Sequence, residues 1–235
     1  EVYSKSTIQP IGSISKTLIG IALLKAQELN LLDIDDPINK FLPFRVSNPF
    51  YPDSEITISH LVNHTSSIND TEQYEKYYML NTSSDSSYLE IPEILNHFSQ
   101  PTDNSITMLE LLNKTLNEDG EWYNRDNFLN TKPGDEYNYS NAGATLAATI
   151  VQLVAQMPFN EFTEKHILVP LDMSSSGWFH DEIDMNRFSK LYHNPKLSFP
   201  EYYNSAYPAG QFMTSNTDLS KYLMELIKGQ LGQGV

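Results

Sequence analysis

Apolar residues in this chain recur at the spacing of a helix and almost nowhere at the two-residue alternation of a strand, which limits it to a mainly helical body. Ile14, Leu18, Ile21, Ala22, Leu24 and Leu29 predict a helix over Ser13–Asn30, stopped by Leu31-Leu32-Asp33-Ile34-Asp35-Asp36-Pro37. Thr57 is placed to cap a short helix through Ile58, Leu61 and Val62. Ile91–Phe98 and Ile106–Leu116 read as helices, the second with the clearer pattern. Ala142–Gln156 reads as another, ended by Pro158, and Phe159–His166 as an amphipathic helix stopping before Pro170. Ser215 or Thr217 caps a last helix, Asp218–Lys228, with Gly229 as its stop. Between these runs, Ile38–Pro52 is proline-punctuated and irregular, Ser66–Ser87 is a long polar loop or insert, and Pro133-Gly134-Asp135 is a turn. No internal repeat is visible.

Composition narrows the function classes. The chain has 235 residues, enough to bury a sizeable core, and 40% of them are hydrophobic. Fifteen basic residues against thirty acidic ones leave a formal charge of −15, which repels phosphate and excludes a nucleic-acid partner. The longest apolar stretch, near Leu18–Leu24, is interrupted by Lys25 and Gln27, so no segment is long enough to span a bilayer. No signal-peptide pattern begins at Glu1. Cysteine is absent, which removes disulfides and thiolate metal sites. His60, His64 and His97 form no His-Glu-x-x-His pattern and stand apart from carboxylates at ligand spacing, so no metal and no cofactor is expected. Asp33, Asp35 and Asp36 read as a helix end and solvated loop rather than a calcium site, and the glycines form no phosphate-binding loop.

Chemistry enters at Gly12-Ser13-Ile14-Ser15-Lys16-Thr17. Helix positions i and i+3 share a face, so Ser13 and Lys16 are within reach of one another. A serine hydroxyl is a poor nucleophile until a neighbouring base takes its proton. A lysine serves as that base when burial and the positive end of a helix dipole favour its neutral form. The helix start also offers free backbone N–H groups to an oxyanion. By itself Ser-x-x-Lys also fits a helix cap followed by a solvated lysine. A second element, Tyr139-Ser140-Asn141, follows Pro133-Gly134. A phenol beside an ammonium ionises more readily and passes a proton as acid or base. An asparagine amide there can donate to a substrate carbonyl and accept from the lysine. Alone, this stretch equally fits a turn tyrosine with Asn141 as a helix N-cap. Trp122 and Tyr123, which precede the turn, are candidates for the substrate rim. Tyr74, Tyr77, Tyr78 and Tyr88 read as rings that pin an acidic insert to the body.

In order along the chain, Ile11–Thr17, Ile56–Ser66 (ITISHLVNHTS), Pro133-Gly134 with Tyr139–Gly143 (YSNAG), Ile167–Met173 (ILVPLDM), and Pro208-Ala209-Gly210-Gln211 followed by Ser215 and Asp218 resemble the serine β-lactamase and penicillin-binding protein superfamily. The closest branch is the class C β-lactamase-like group, which also holds D-alanyl carboxypeptidases, D-aminopeptidases and esterases. The resemblance runs from about Ile11 to Gly229. It implies an α/β, β-lactamase/transpeptidase-like fold, with Ser13, Lys16 and Tyr139 catalytic and Asn141 facing substrate, beside the rim candidates Trp122 and Tyr123. It also implies an extracytoplasmic location and a small-molecule or peptide substrate bearing a peptide, amide, lactam or ester carbonyl. Ser67 and Gln211 stand where the pattern has glycine. The family's later strand with Lys-Thr-Gly or His-x-Gly, which supplies half the oxyanion hole, has no counterpart here. The expectation is therefore one domain over 1–235 with 66–132 as insert or rim, carrying the helical body and little of the sheet at either end. Such a chain is expected to be a weak enzyme with an uncovered apolar face. The alternative is a non-catalytic relative that binds peptide or cell-wall fragments.

Overall fold

The computed structural model describes residues 3–75, 78–80, 100–101, 106–195, 197–198 and 202–233. Its helices are α1 (Lys16–Glu28), α2 (Ile58–Val62), α3 (Glu72–Glu75), α4 (Met108–Leu116), α5 (Asn141–Ala155), α6 (Phe159–Thr163) and α7 (Asn216–Gln230). Its strands are β1 (Ile8–Pro10), β2 (Tyr78–Leu80), β3 (Gln100–Pro101), β4 (Ser176–Gly177), β5 (Tyr192–Asn194), β6 (Leu197–Ser198), β7 (Tyr202–Asn204) and β8 (Met213–Ser215).

The centre of the body is α5. Every residue from Ala142 to Val151 is buried, and a helix apolar all round belongs inside a core. Its small residues, Ala142, Gly143, Ala144, Ala147 and Ala148, let neighbours approach, and α1, α2, α4 and α6 all pack on it. α1 turns Leu18, Ile19, Ala22, Leu23 and Ala26 inward, while Leu24 and Leu29 stay exposed. α4 begins with a reciprocal cap. Thr107 N–H donates to Glu110 Oε2 (2.8 Å) and Glu110 N–H to Thr107 Oγ1 (3.2 Å), satisfying two free donors. α2 uses the same device with histidine as the returning partner, Thr57 N–H donating to His60 Nδ1 at 3.2 Å. Tyr74 ties the start of the 66–132 segment to the core by sharing a hydrogen bond with Thr145 of α5 (2.8 Å).

Beside the helices lies an antiparallel sheet in the order β1-β8-β4, with Ile8 opposite Ser215, Pro10 opposite Met213 and Ser176 opposite Thr214. A strand directly before Ser13 was not expected from the sequence. Three residues carry no readable alternation, and pairing with β8 makes the strand. Two smaller sheets join β3-β2-β7 and β5-β6. Trp178 is fully buried among Phe159, Tyr207 and Phe212, and its indole N–H donates to Thr163 Oγ1 at 2.8 Å. Among the described residues no single helix is long and apolar enough to cross a membrane.

Several boundaries differ from expectation. Ser140, not Asn141, caps α5, its Oγ accepting from Gly143 N–H at 2.9 Å. α5 ends at Gln156 in the left-handed region, and Pro158 starts the next helix rather than ending this one. α6 continues as a π-helical turn over Glu164–Leu168. Ser215 caps α7, which runs through Gly229 to Gln230; the left-handed glycine is Gly232. Gly229 is exposed and keeps helical backbone, without the positive φ of a helix stop. The expected helix Ile91–Phe98, Tyr77, Tyr88 and His97 lie outside the described residues.

Candidate active site

Ser13 sits in a 3-10 turn, Gly12–Ser15, that leads straight into α1. Gly12 opens it at φ +54°, a conformation that suits glycine. Two bonds moor the turn to the strand end across the molecule. Ile11 N–H donates to the Phe212 carbonyl (3.0 Å), and the buried Ser15 hydroxyl donates to the Gly12 carbonyl (2.6 Å) while accepting from Phe212 N–H (3.1 Å). Lys16, one turn on, aims its ammonium at Ser13 Oγ (3.3 Å) and at the carbonyl of Ala209 (2.5 Å). The Tyr139 hydroxyl donates to Ser13 Oγ at 2.7 Å, and the Lys16 ammonium lies 4.8 Å from the centre of the Tyr139 ring. Ser13 and Tyr139 face solvent, and Lys16 is half-buried.

These contacts bring together Ser13, Lys16 and Tyr139 from two segments of the chain. A proton leaving the Ser13 hydroxyl has two positions within reach, the amine and the phenol oxygen, whichever is deprotonated. The sequence offers the Asn141 amide as an acceptor for Lys16. Instead the second partner of Lys16 is the Ala209 carbonyl, delivered by the 3-10 turn Tyr207–Ala209. Asn141 is the first residue of α5, and among the described residues its side-chain amide makes no hydrogen bond. Trp122 and Tyr123 lie against the C-terminal end of α4 and the 45–52 loop. The Lys114 ammonium covers the Trp122 ring at 4.6 Å, and Tyr123 lines a cleft with Arg45, Pro49, Leu116, Glu118 and Arg125. The structure does not bring these two aromatics onto the Ser13 cluster.

Two residues hold the tyrosine segment that the sequence reading gave no role. Asp70 accepts from the Ser140 hydroxyl (2.9 Å), Asn141 N–H (2.7 Å) and Ala142 N–H (2.9 Å), placing a carboxylate on the positive end of α5. His64, which the sequence offers no metal partner, packs its ring on Tyr139 with centroids 4.7 Å apart. Burial, followed by the Lys16 charge, lowers the His64 pKa below the ordinary histidine value, and Asp70 pulls the other way. Gly134 sits at φ +98°, and a Cβ there would come within 3.1 Å of His60 Nε2, so the turn before Tyr139 closes on α2 only with glycine. Ser67 holds φ +62° where the resemblance had glycine, and its hydroxyl accepts from the buried Asn48 amide at 2.7 Å. Gln211 fills the other glycine position and donates to the Trp178 carbonyl at 3.1 Å.

A serine shared by a lysine one helical turn on and a tyrosine from the loop before a second helix, on a helical body flanked by an antiparallel sheet, defines the β-lactamase/transpeptidase-like class of fold. The chain belongs to the Beta-lactamase family, whose model matches residues 3–83 and 86–234. Among curated relatives it is similar to Protein flp of Staphylococcus aureus (strain MW2), 23% identical over 224 residues that make up 94% of this chain and 39% of flp. It thus spans about two-fifths of the length of the relative it matches. The penicillin-binding protein homologue from Pyrococcus abyssi, described as octameric, superposes with a TM-score of 0.69 at 26% identity, over 96% of this chain and 46% of the other. The D-amino acid amidase from Ochrobactrum anthropi SV3 superposes with a TM-score of 0.68 at 21% identity, over 97% and 57%.

Proposed function

We propose that this chain carries the catalytic body of a serine hydrolase that works through an acyl-enzyme, with 1–235 acting as one domain. Ser13 Oγ attacks a carbonyl carbon as its proton passes to Lys16 or Tyr139. The same pair returns the proton to the leaving nitrogen or oxygen, the bond to the leaving group breaks, and an ester to Ser13 remains. Water then attacks the ester and takes the acyl group away, restoring the Ser13 hydroxyl. Asn141, at the start of α5, orients the substrate carbonyl.

The observation that carries this reading is the Ser13 Oγ held 2.7 Å from the Tyr139 hydroxyl and 3.3 Å from the Lys16 ammonium. A chain that only bound peptide would have no use for two proton carriers on one hydroxyl. The substrate is a small molecule or peptide with a peptide, amide, lactam or ester carbonyl. The similarity to a penicillin-binding protein homologue and to a D-amino acid amidase supports that range. An extracytoplasmic location goes with such substrates. The test is intact mass after incubation with a fluorophosphonate or a penicillin. One adduct per chain is expected, and none in Ser13→Ala. A mutant that labels at the wild-type rate would remove Ser13 from this role, and an unlabelled wild type would leave the peptide-binding alternative.

A further inference from the structure

His64 does more than turn the chain after α2. Its carbonyl accepts from Asn138 N–H at 2.7 Å, and its Nδ1 accepts from Ser140 N–H at 3.2 Å. Between those two bonds its ring lies against Tyr139, with planes 33° apart, and meets Tyr137 edge-on at 5.9 Å. One residue thus grips the backbone on both sides of Tyr139 and the ring itself. It does so from φ +55°, a conformation that a non-glycine residue adopts only where its surroundings impose it.

We propose that His64 is a positioning residue that holds the Tyr139 hydroxyl on Ser13, and that it does so only as the neutral imidazole, so that protonating it releases the tyrosine. The chemistry follows from the acceptor. Nδ1 takes a hydrogen bond from a backbone N–H, so in this state it carries no proton. An imidazolium has N–H on both nitrogens and would set a donor against the Ser140 donor. The charged groups facing the ring act in opposite directions. Lys16, from α1, repels a second positive charge, and Asp70 attracts it. Tyr137 and Tyr139 face it from the segment it grips, and His60 lies one turn back on α2. Beyond the ring a cavity of about 30 Å³ is lined with Lys16 by Leu61, Val62, Ala144 and Ala147, so its surroundings there are apolar. The lowered pKa of His64 agrees with this geometry. The proposal rests on the reading of Ser13 as nucleophile, and its test separates the two.

In the wild-type chain, the His64 imidazole is followed by NMR through a pH titration, together with the Ser140 amide and the Tyr139 ring. All three should move with one midpoint, below the ordinary histidine value of about 6.5. A His64 titration that leaves Ser140 and Tyr139 still overturns the clamp, whatever the chain does to substrates. In parallel, the rate of fluorophosphonate labelling is measured against pH. It should fall on acidification with the same midpoint. His64→Asn keeps a side-chain acceptor and tolerates positive φ but cannot titrate there, so its profile should lose that acid limb. His64→Phe keeps the ring and loses the acceptor. It should label between about ten- and a hundredfold more slowly, less than the 10²–10⁴-fold of losing an acid–base group outright. Labelling of both variants at wild-type rate with an unchanged acid limb would overturn the proposal. If wild type takes no label yet the three resonances titrate together, the hydrolase reading fails and the clamp stands.

Discussion

The ammonium of Lys16 donates to the carbonyl of Ala209 at 2.5 Å, joining residues 193 positions apart, and this second anchor fixes the amine beside Ser13. A lysine held by Ser13 alone would swing on its four-carbon stem. The Ala209 carbonyl restricts it to one side of the α1 turn, where Tyr139 covers it.

Lys16→Met keeps volume and removes both the proton carrier and the anchor. Labelling of Ser13 by a fluorophosphonate should slow by about 10²–10⁴-fold. Loss of the Ala209 bond should cost about 1 kcal/mol in urea unfolding, which leaves the fold intact. A variant that labels at the wild-type rate would remove Lys16 from the proton path.

Asp70→Ala strips the carboxylate from the N-terminus of α5 and leaves Ser140 Oγ, Asn141 N–H and Ala142 N–H without it. Loss of a helix cap of this kind costs about 1–2 kcal/mol. Because the same bonds fix the residue after Tyr139, labelling should slow as well. Circular dichroism through a urea titration gives the first quantity and time-resolved intact mass the second. Asp70→Asn, which retains one acceptor oxygen, should fall between wild type and alanine in both.

Ser67 tests the glycine position in its turn. Ser67→Ala keeps the left-handed backbone and loses the bonds to Asn48 and to the Ser66 carbonyl, and should cost about 1–2 kcal/mol. Ser67→Gly loses the same bonds but relieves the backbone, so it should come within about 1 kcal/mol of wild type. Thermal unfolding of the pair decides the matter, and a glycine variant less stable than the alanine one would contradict it.

His60 gives a pH dependence with a definite sign. Burial lowers its pKa, opposed by Asp35, and its Nδ1 must stay free to accept from Thr57 N–H. The unfolded chain therefore takes up a proton at higher pH than the folded one. This contribution is present above about pH 6.5 and is lost as pH falls through the lower folded value. His60→Gln retains an acceptor for the cap and does not titrate. Urea midpoints measured from pH 7.5 to pH 5 should fall less steeply in the variant than in wild type, with His64 and His166, both also lowered, keeping part of the slope.

The local part of this site was legible and the long-range part was not. Ser13 and Lys16 are three positions apart on one helical turn, so spacing alone placed them together. Tyr139 was found through ordered motifs. Asp70 and His64 act on Ser140 across 70 and 76 positions; His64 lies inside the ITISHLVNHTS segment, but nothing adjacent says what its imidazole touches, and Asp70 lies outside every quoted motif. Trp122 and Tyr123 were assigned to the rim because they precede the turn. Yet Trp122 N–H donates to the Lys114 carbonyl (2.8 Å), which turns the pair back toward the end of α4. The helices were readable by their period. The strands of the β1-β8-β4 sheet are two or three residues long, too short for any period, and exist because the chain brings distant segments into register.

The bond from Lys16 to Ala209 also orders events in time. A ribosome adds about 5–20 residues per second, so the 193 positions between them take roughly 10–40 s to make. During that interval the serine and lysine already exist in the nascent polypeptide, while the carbonyl that steadies the amine and the strand that moors the serine turn do not. Ser13 and Lys16 are therefore made before the carbonyl that steadies the amine, and the cluster they form with Tyr139 is complete only once Ala209 has been added.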